Sequence, residues 1–285
     1  MHVTILGCGY VGCALAERLV GAGHDVLGVR RSALDTVRET GAEARAADVT
    51  DADELASLPD TDAVVFAASS GGRGADAARE VYVGGLEATV EAYAGRAEKL
   101  VYTSSTGVYG DHGGDWVDED TDIEPTTEKT AVLAEAERTA LEDGADAGFD
   151  ATVVRFAGLY GPERYRLARY VEGPVTEGYL NMLHREDAAG ITAFALERDE
   201  DLWLAVDDEP VSKWAFADWL AAECDEPRPE KRTVEERLEA GDLSEAAERR
   251  LRTSKRCSNA KLRDAGYEFA YPTFREGYRA AVDAW

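Results

Sequence analysis

Six residues near the start of the chain, Gly7-Cys8-Gly9-Tyr10-Val11-Gly12, have the types and spacing of a phosphate-holding turn. The first glycine permits a tight turn, the second lets the backbone approach a pyrophosphate, and the third lets a helix pack closely on a strand. The helix opening there offers its N–H groups, those of Tyr10 and Val11 among them, and the positive end of its dipole. The motif follows an apolar run at 3–6 and precedes helical spacing at 11–20, the context that makes a loose pattern a dinucleotide-binding prediction. A second strand, over 25–29, ends in Arg30-Arg31-Ser32 instead of Asp or Glu. An acid at that point holds a ribose 2′-OH, whereas two planar guanidiniums and a hydroxyl suit a 2′-phosphate. The cofactor expected is NADP in preference to NAD.

These residues need a scaffold, and the hydrophobic pattern supplies one. Runs at 3–6, 25–29, 63–67, 99–103, 151–156 and 202–206 read as strands. Stretches at 11–20, 36–40, 77–93, 128–143, 187–196, 212–223 and 235–251 read as helices. The alternation predicts an α/β fold, a Rossmann-type doubly wound parallel sheet with helices on both faces. The rhythm changes after Gly161-Pro162. Residues 1–160 are assigned to the NAD(P)-binding domain, with 187–207 returning to it, and 161–285 mostly to a smaller, partly helical substrate-binding cap. The Pro-rich, charged stretch 226–231 is the best linker candidate.

At Tyr102-Thr103-Ser104-Ser105-Thr106-Gly107-Val108-Tyr109-Gly110 the sequence begins to resemble the extended short-chain dehydrogenase/reductases, the NAD-dependent epimerase/dehydratase group. The resemblance covers nearly the whole chain. Asp48-Val49-Thr50-Asp51 is similar to the family's turn beside the adenine, and Phe66-Ala67-Ala68-Ser69 to its fourth-strand end along the cofactor. Arg155-Phe156-Ala157-Gly158-Leu159-Tyr160-Gly161-Pro162 is similar to the segment passing the nicotinamide. The resemblance thus implies Asp48, Val49, Ala67, Ala68, Ser69, Phe156 and Gly158 as cofactor contacts. Asn181-Met182-Leu183-His184-Arg185-Glu186-Asp187-Ala188 is similar to the family's Asn-x-x-His-x-x-Asp segment and puts Asn181 and His184 among the substrate-binding candidates. Arg164 and Tyr165, with Arg166 and Arg169, cluster at the expected mouth of the cap and could clamp an anionic substrate such as a sugar nucleotide.

The resemblance also implies a catalytic Ser or Thr, a Tyr, and a Lys four residues after it that lowers the Tyr pKa. Ser105 matches the hydroxyl position. Registered on Glu135, Thr127 stands at the Tyr position and Ala131 at the Lys position. Lys129 is two residues off and is expected to point elsewhere on the helix. No tyrosine in the chain has a Lys four residues on. The reading is an atypical member that keeps the cofactor site and has lost the usual proton-transfer pair. Ser105 and Tyr109 are the catalytic candidates, Tyr109 because it falls near the expected nicotinamide. Arg155 is read as an internal ion-pair partner.

Two functions stay open: an NAD(P)-dependent oxidoreductase or epimerase-like enzyme with an unusual proton donor, and a non-catalytic NADP(H)-binding sensor. A flavin enzyme on the same glycine turn fits the downstream segments less well. The net charge is −26, from 57 acidic and 31 basic residues, so there is no basic footprint for nucleic acid. Acidity spread along the whole chain resembles the proteins of a salt-in halophilic archaeon, where molar salt screens the self-repulsion. No apolar run is long enough to span a membrane, and no leader pattern opens the chain, so the expectation is cytoplasmic. A small-molecule substrate is expected, with a homodimer as the assembly considered. The four cysteines, Cys8, Cys13, Cys224 and Cys257, form no Cys-x-x-Cys, so neither a metal site nor a redox pair is signalled.

Overall fold

In the computed structural model, which describes residues 1–70, 74–241 and 243–285, seven parallel strands form one sheet. They are β1 (His2–Leu6), β2 (Asp25–Val29), β3 (Glu43–Arg45), β4 (Ala63–Phe66), β5 (Lys99–Ser105), β6 (Asp150–Phe156) and β7 (Leu202–Ala205). Their order is β7-β6-β5-β4-β1-β2-β3, a Rossmann-like doubly wound arrangement whose winding reverses between β1 and β4. Leu6 is in register with both Val29 and Phe66, so the carboxyl ends of the three central strands open at one level. Both faces are covered, and the alternating side chains sort into two cores. Val3, Ile5, Val65 and Val101 face one, with Leu15 and Leu19 of the first helix, Tyr10–Gly21. Leu6, Val64, Phe66, Leu100 and Tyr102 face the other. Burial on both faces is why these strands read as continuous apolar runs.

Residues beyond Tyr160 divide their loyalties. The helix Arg185–Ala195 packs on the first helix through Ala188, Ala189 and Ile191, and β7 pairs with β6. Leu262 and Tyr267 join the same core. A third core, built on Tyr170, Phe216, Leu220, Phe274 and Tyr278, belongs to the part that stands beside the strand ends.

Several elements depart from the sequence reading for local reasons. The short strand Glu43–Arg45 and helix Ala52–Ala56 carry too few periodic positions to show in sequence. The stretch 77–93 is two α-helices joined by a π-helical turn, Glu80–Gly84. A β-carbon on Gly85 would sit 2.9 Å from the Phe66 ring, so the helix that follows lies directly on the sheet. The helix expected over 235–251 is split into Val234–Glu239 and Glu245–Arg252, with residue 242 outside the described residues. Among the described residues, no helix is long and apolar enough to cross a membrane.

Candidate functional site

A cleft of about 610 Å³ lies over the carboxyl ends of β1, β2, β4 and β5, at the reversal of the winding. Doubly wound sheets bind ligands there, because neighbouring loops leave in opposite directions. Each wall follows from local sequence. Gly7 has φ +86°, and a β-carbon there would fall 2.3 Å from Ala68 Cα, so only glycine lets the turn pass over the end of β4. The nearest neighbour of a β-carbon on Gly9 would be 3.7 Å away, leaving that backbone open to the cleft. Gly12 does not reach the cleft. Its hydrogen allows the helix to lie against Ile5 and the Gly7 carbonyl, at 3.2 and 3.1 Å from a would-be β-carbon.

The floor and walls gather Gly7, Gly9, Tyr10, Val11, Arg30, Arg31, Ser32, Asp48, Val49, Ala67, Ala68, Ser69 and Phe156. Arg30 is braced by donating to Thr36 Oγ1 at 2.8 Å, and Arg31 stands 3.7 Å from the Asp48 carboxylate. Hydrogen bonds from Thr50, then the nearby Arg31 cation, hold the Asp48 carboxyl below its ordinary range. An open glycine backbone with two guanidiniums and a hydroxyl at the strand end fits a phosphorylated dinucleotide.

The other end of the cleft reaches β5 and the segment after β6. Ser105 closes β5, and its Oγ accepts from the Gly107 N–H at 3.1 Å, which leaves its own proton free to donate. Lys129 also lines the cleft, contrary to the expectation that it points elsewhere. The reason is a cap. Thr127 is the N-cap of the helix Glu128–Arg138, its Oγ1 accepting from Thr130 N at 3.1 Å while Thr130 Oγ1 accepts from Thr127 N at 3.0 Å. The helix therefore begins with Lys129 in its first turn, beside Gly107, where a β-carbon would lie 3.3 Å from Thr130 and 3.4 Å from Ser105 Oγ. Thr127, at the position where the resemblance wants a tyrosine, is committed to that cap.

Arg164 and Arg166 complete this end. A turn at Gly161 (φ +137°), closed by a 2.9 Å bond from Arg164 N to Gly161 O, lays Arg164 over the Tyr10 ring at 3.9 Å. The Tyr10 hydroxyl donates to Pro162 O at 3.1 Å, tying the glycine turn to the chain entering the cap. Tyr82 and Val81 reach the cleft from the π-helical turn. Neither is among the sequence candidates, because a π turn changes which side chains share a helix face.

Several further sequence candidates stand elsewhere, Arg169 among them, beside the Tyr170 ring. Tyr109 is fully buried, donates its hydroxyl to Asp118 O at 2.7 Å and lies under the Arg155 guanidinium at 4.8 Å. Burial pushes its phenol well up, the opposite of what a proton donor near neutral pH needs. His184 is buried, accepts from Glu186 N to cap the helix Arg185–Ala195, and lies against the Tyr271 ring, tilted by 35° with the centroids 3.7 Å apart. Burial pushes its pKa down to about 4, so it is neutral at pH 7. Asn181 brackets the backbone of 255–257, donating to Lys255 O and accepting from Cys257 N. Gly158 N donates to Asn181 O, in a short pair of strands of which Leu159, and not Gly158, lines the cleft. Tyr165 packs between Tyr160 and Tyr278 in the third core. Arg155 is the internal partner expected of it, bidentate to Glu137 with both side chains buried.

The comparisons with known proteins agree with this geometry. Residues 3–208 match the family described as NAD dependent epimerase/dehydratase. Protein YeeZ of Escherichia coli K12 is 32% identical over 208 residues, spanning 68% of this chain and 73% of that protein. A solved structure from Methylobacillus flagellatus, described as of the NAD-dependent epimerase/dehydratase kind, is 30% identical with a TM-score of 0.77, covering 99% of this chain and 98% of the other. UDP-glucose 4-epimerase of Thermotoga maritima, at 16% identity, shares the fold with a TM-score of 0.82 over 99% of this chain and 98% of its own. A family match that takes in every strand of the sheet and both walls of the cleft makes this protein a member of the NAD dependent epimerase/dehydratase family, and so of a group built around a nicotinamide cofactor.

Proposed function

We propose that the chain is an NADP(H)-dependent oxidoreductase or epimerase-like enzyme acting on an anionic, hydroxyl-bearing substrate of the sugar or sugar-nucleotide kind. One observation carries the reading. In a chain of net charge −26, the described residues lining the cleft include five cations, Arg30, Arg31, Lys129, Arg164 and Arg166, and a single carboxylate, Asp48. Cations gathered in one concavity of an acidic protein mark an anion site at each end, one for the cofactor's phosphates and one for the substrate. Arg30, Arg31 and Ser32 would hold the 2′-phosphate, and the N–H groups at the start of the first helix the pyrophosphate. The nicotinamide, when bound, supplies or accepts the hydride. Ser105 donates its free proton to the substrate oxygen. The Lys129 ammonium offsets negative charge developing on that oxygen and can pass it a proton, the task the family gives to its Tyr and Lys. Arg164 and Arg166 clamp the anionic part of the substrate.

A second reading, NADP(H) binding without turnover, is favoured by the state of the two tyrosines in the cleft. Tyr10 is tied to Pro162 and Tyr82 lies 3.4 Å from Ser70. Turnover of any substrate in an NADPH-consumption screen decides between the two. The acidity supports, in the same reading, a protein adapted to molar salt.

The test is a fluorescence titration with NADPH and NADH in molar KCl. Tighter binding of NADPH is expected, and Arg30→Ala with Arg31→Ala should weaken NADPH at least about tenfold while NADH changes little; a tenfold loss corresponds to about 1.4 kcal/mol. Equal affinities in the parent, or a double variant that loses both cofactors alike, overturn the NADP assignment.

A further inference from the structure

The glycine turn carries two thiols that the spacing of the cysteines did not flag. Cys8 lies inside the turn and is fully buried, while Cys13 lies in the first helix and is half-buried. Their Sγ atoms are 3.9 Å apart, and Cys13 Sγ also lies 3.5 Å from Cys8 O. A disulfide needs about 2.05 Å between sulfurs, a closure of roughly 2 Å, within the range of a side-chain rotation with slight adjustment of the turn. We propose that Cys8 and Cys13 form a reversible disulfide that lowers the affinity of the cleft for its cofactor, a redox control of the site proposed above and resting on that reading.

Three features of the surroundings support it. First, the two thiols are unequal, which sets the order in which they react. The hydrogen bond between them, with the Arg30 and Arg185 guanidiniums, holds the Cys13 thiol below the ordinary thiol range against the desolvation that raises it, and Cys13 is the one of the two that solvent reaches. The same hydrogen bond and full burial hold Cys8 well above it. Cys13 is therefore the thiolate that meets an oxidant and Cys8 the resolving thiol. Second, residues flanking the pair do the binding, since Gly7, Gly9, Tyr10 and Val11 all line the cleft. Third, Cys8 is tied to the end of β2. Its N–H donates to Val29 O at 2.9 Å, as does that of Gly7, and its Sγ packs against Gly28, where a β-carbon would lie 2.9 Å away, so movement of Cys8 bears on the strand end from which Arg30 and Arg31 extend.

The oxidant is a peroxide. Cys13 thiolate attacks one peroxide oxygen, an S–O bond forms, the O–O bond breaks, and the departing oxygen leaves as water after taking a proton. Cys8 sulfur then attacks Cys13 sulfur, forming the S–S bond and breaking S–O, and the hydroxide released leaves as a second water with the Cys8 proton. Two thiols lose two electrons in all, and one hydrogen peroxide becomes two waters.

The experiment treats the full chain with a small excess of hydrogen peroxide, quenches with an alkylating agent in denaturant, and reads intact mass, peptide linkage and NADPH affinity. The expected result is a chain that carries two alkyl groups fewer than the untreated protein and is a further 2 Da lighter, a linked pair of peptides carrying Cys8 and Cys13 after cleavage between them, an NADPH affinity at least about tenfold weaker, and full recovery with dithiothreitol. Cys13→Ser, and Cys13→Ala as a second variant, should bind NADPH as the reduced parent does and lose both the mass change and the oxidant sensitivity. Oxidation of Cys13 to the sulfinic acid with no linked peptide overturns the pair. A linked pair with unchanged NADPH affinity overturns the control. Reduced protein that binds neither NADPH nor NADH, yet still forms the linked peptides, refutes the cofactor reading instead.

Discussion

Lys129 and Ser105 share the end of the cleft where a substrate oxygen would meet the chain, and among the described residues no hydrogen bond or ion pair occupies the Lys129 ammonium. Ser105 accepts one hydrogen bond and keeps its proton. Tyr109, the tyrosine that sequence spacing favours, is occupied by Asp118 and Arg155 instead. With the substrate returned by the NADPH-consumption screen, Lys129→Met should lower kcat by about 10²–10⁴-fold, the usual worth of a positioned proton donor. Ser105→Ala should act in the same direction, and Tyr109→Phe should leave kcat unchanged. Steady-state kinetics that show Lys129→Met with parental kcat, or Tyr109→Phe crippled, would sink the assignment of Lys129.

At the scale of elements, β5 and β6 are pinned to the helix Glu128–Arg138 by one buried ion pair. Arg155 on β6 binds Glu137 through Nε and Nη2, and Ser104 on β5 donates to the same carboxylate at 2.6 Å. This bracket sets the height of the helix whose first turn bears Lys129 and of the strand that ends in Ser105. Removing one partner leaves an uncompensated charge in a dry site, while removing both does not. Glu137→Gln should therefore lower unfolding free energy by about 3–5 kcal/mol, and Arg155→Met combined with Glu137→Leu should cost much less. Urea unfolding curves measure both, and a double variant as unstable as the single one would show that the bracket is worth more than its charge balance.

Across the whole molecule, the excess of acid makes stability depend on salt. Charges of one sign spread over the surface of a 285-residue chain repel one another in dilute buffer, where the screening length is tens of ångströms. In molar salt that length falls to about 3 Å and the repulsion is largely removed. The melting temperature should accordingly climb between dilute buffer and molar KCl. A flat profile by differential scanning calorimetry would mean that the acidity has no bearing on stability.

What the sequence determined by itself was whatever depends on neighbours along the chain. The glycine turn, the strands and the doubly wound sheet are legible because period, turn residues and burial on both faces are local signals, and Arg30-Arg31-Ser32 follows its strand directly. The resemblance to the epimerase/dehydratase group rested on segments that likewise adjoin strand ends. What only the tertiary structure decided were orientations set by distant residues. The loop that leads to Lys129 is fixed from far downstream, with Lys255 donating to Gly110 O and Asp111 accepting from Ser254 N. Thr127 then chooses where the helix starts, and with it the side that Lys129 faces. Tyr82 enters the cleft through a π turn, and His184, Asn181 and Tyr165 are drawn into caps, brackets and an aromatic core by partners remote in sequence. The meeting of Cys8 and Cys13 belongs to the same class, since a turn followed by a helix can close five residues of separation to 3.9 Å where no motif announces it.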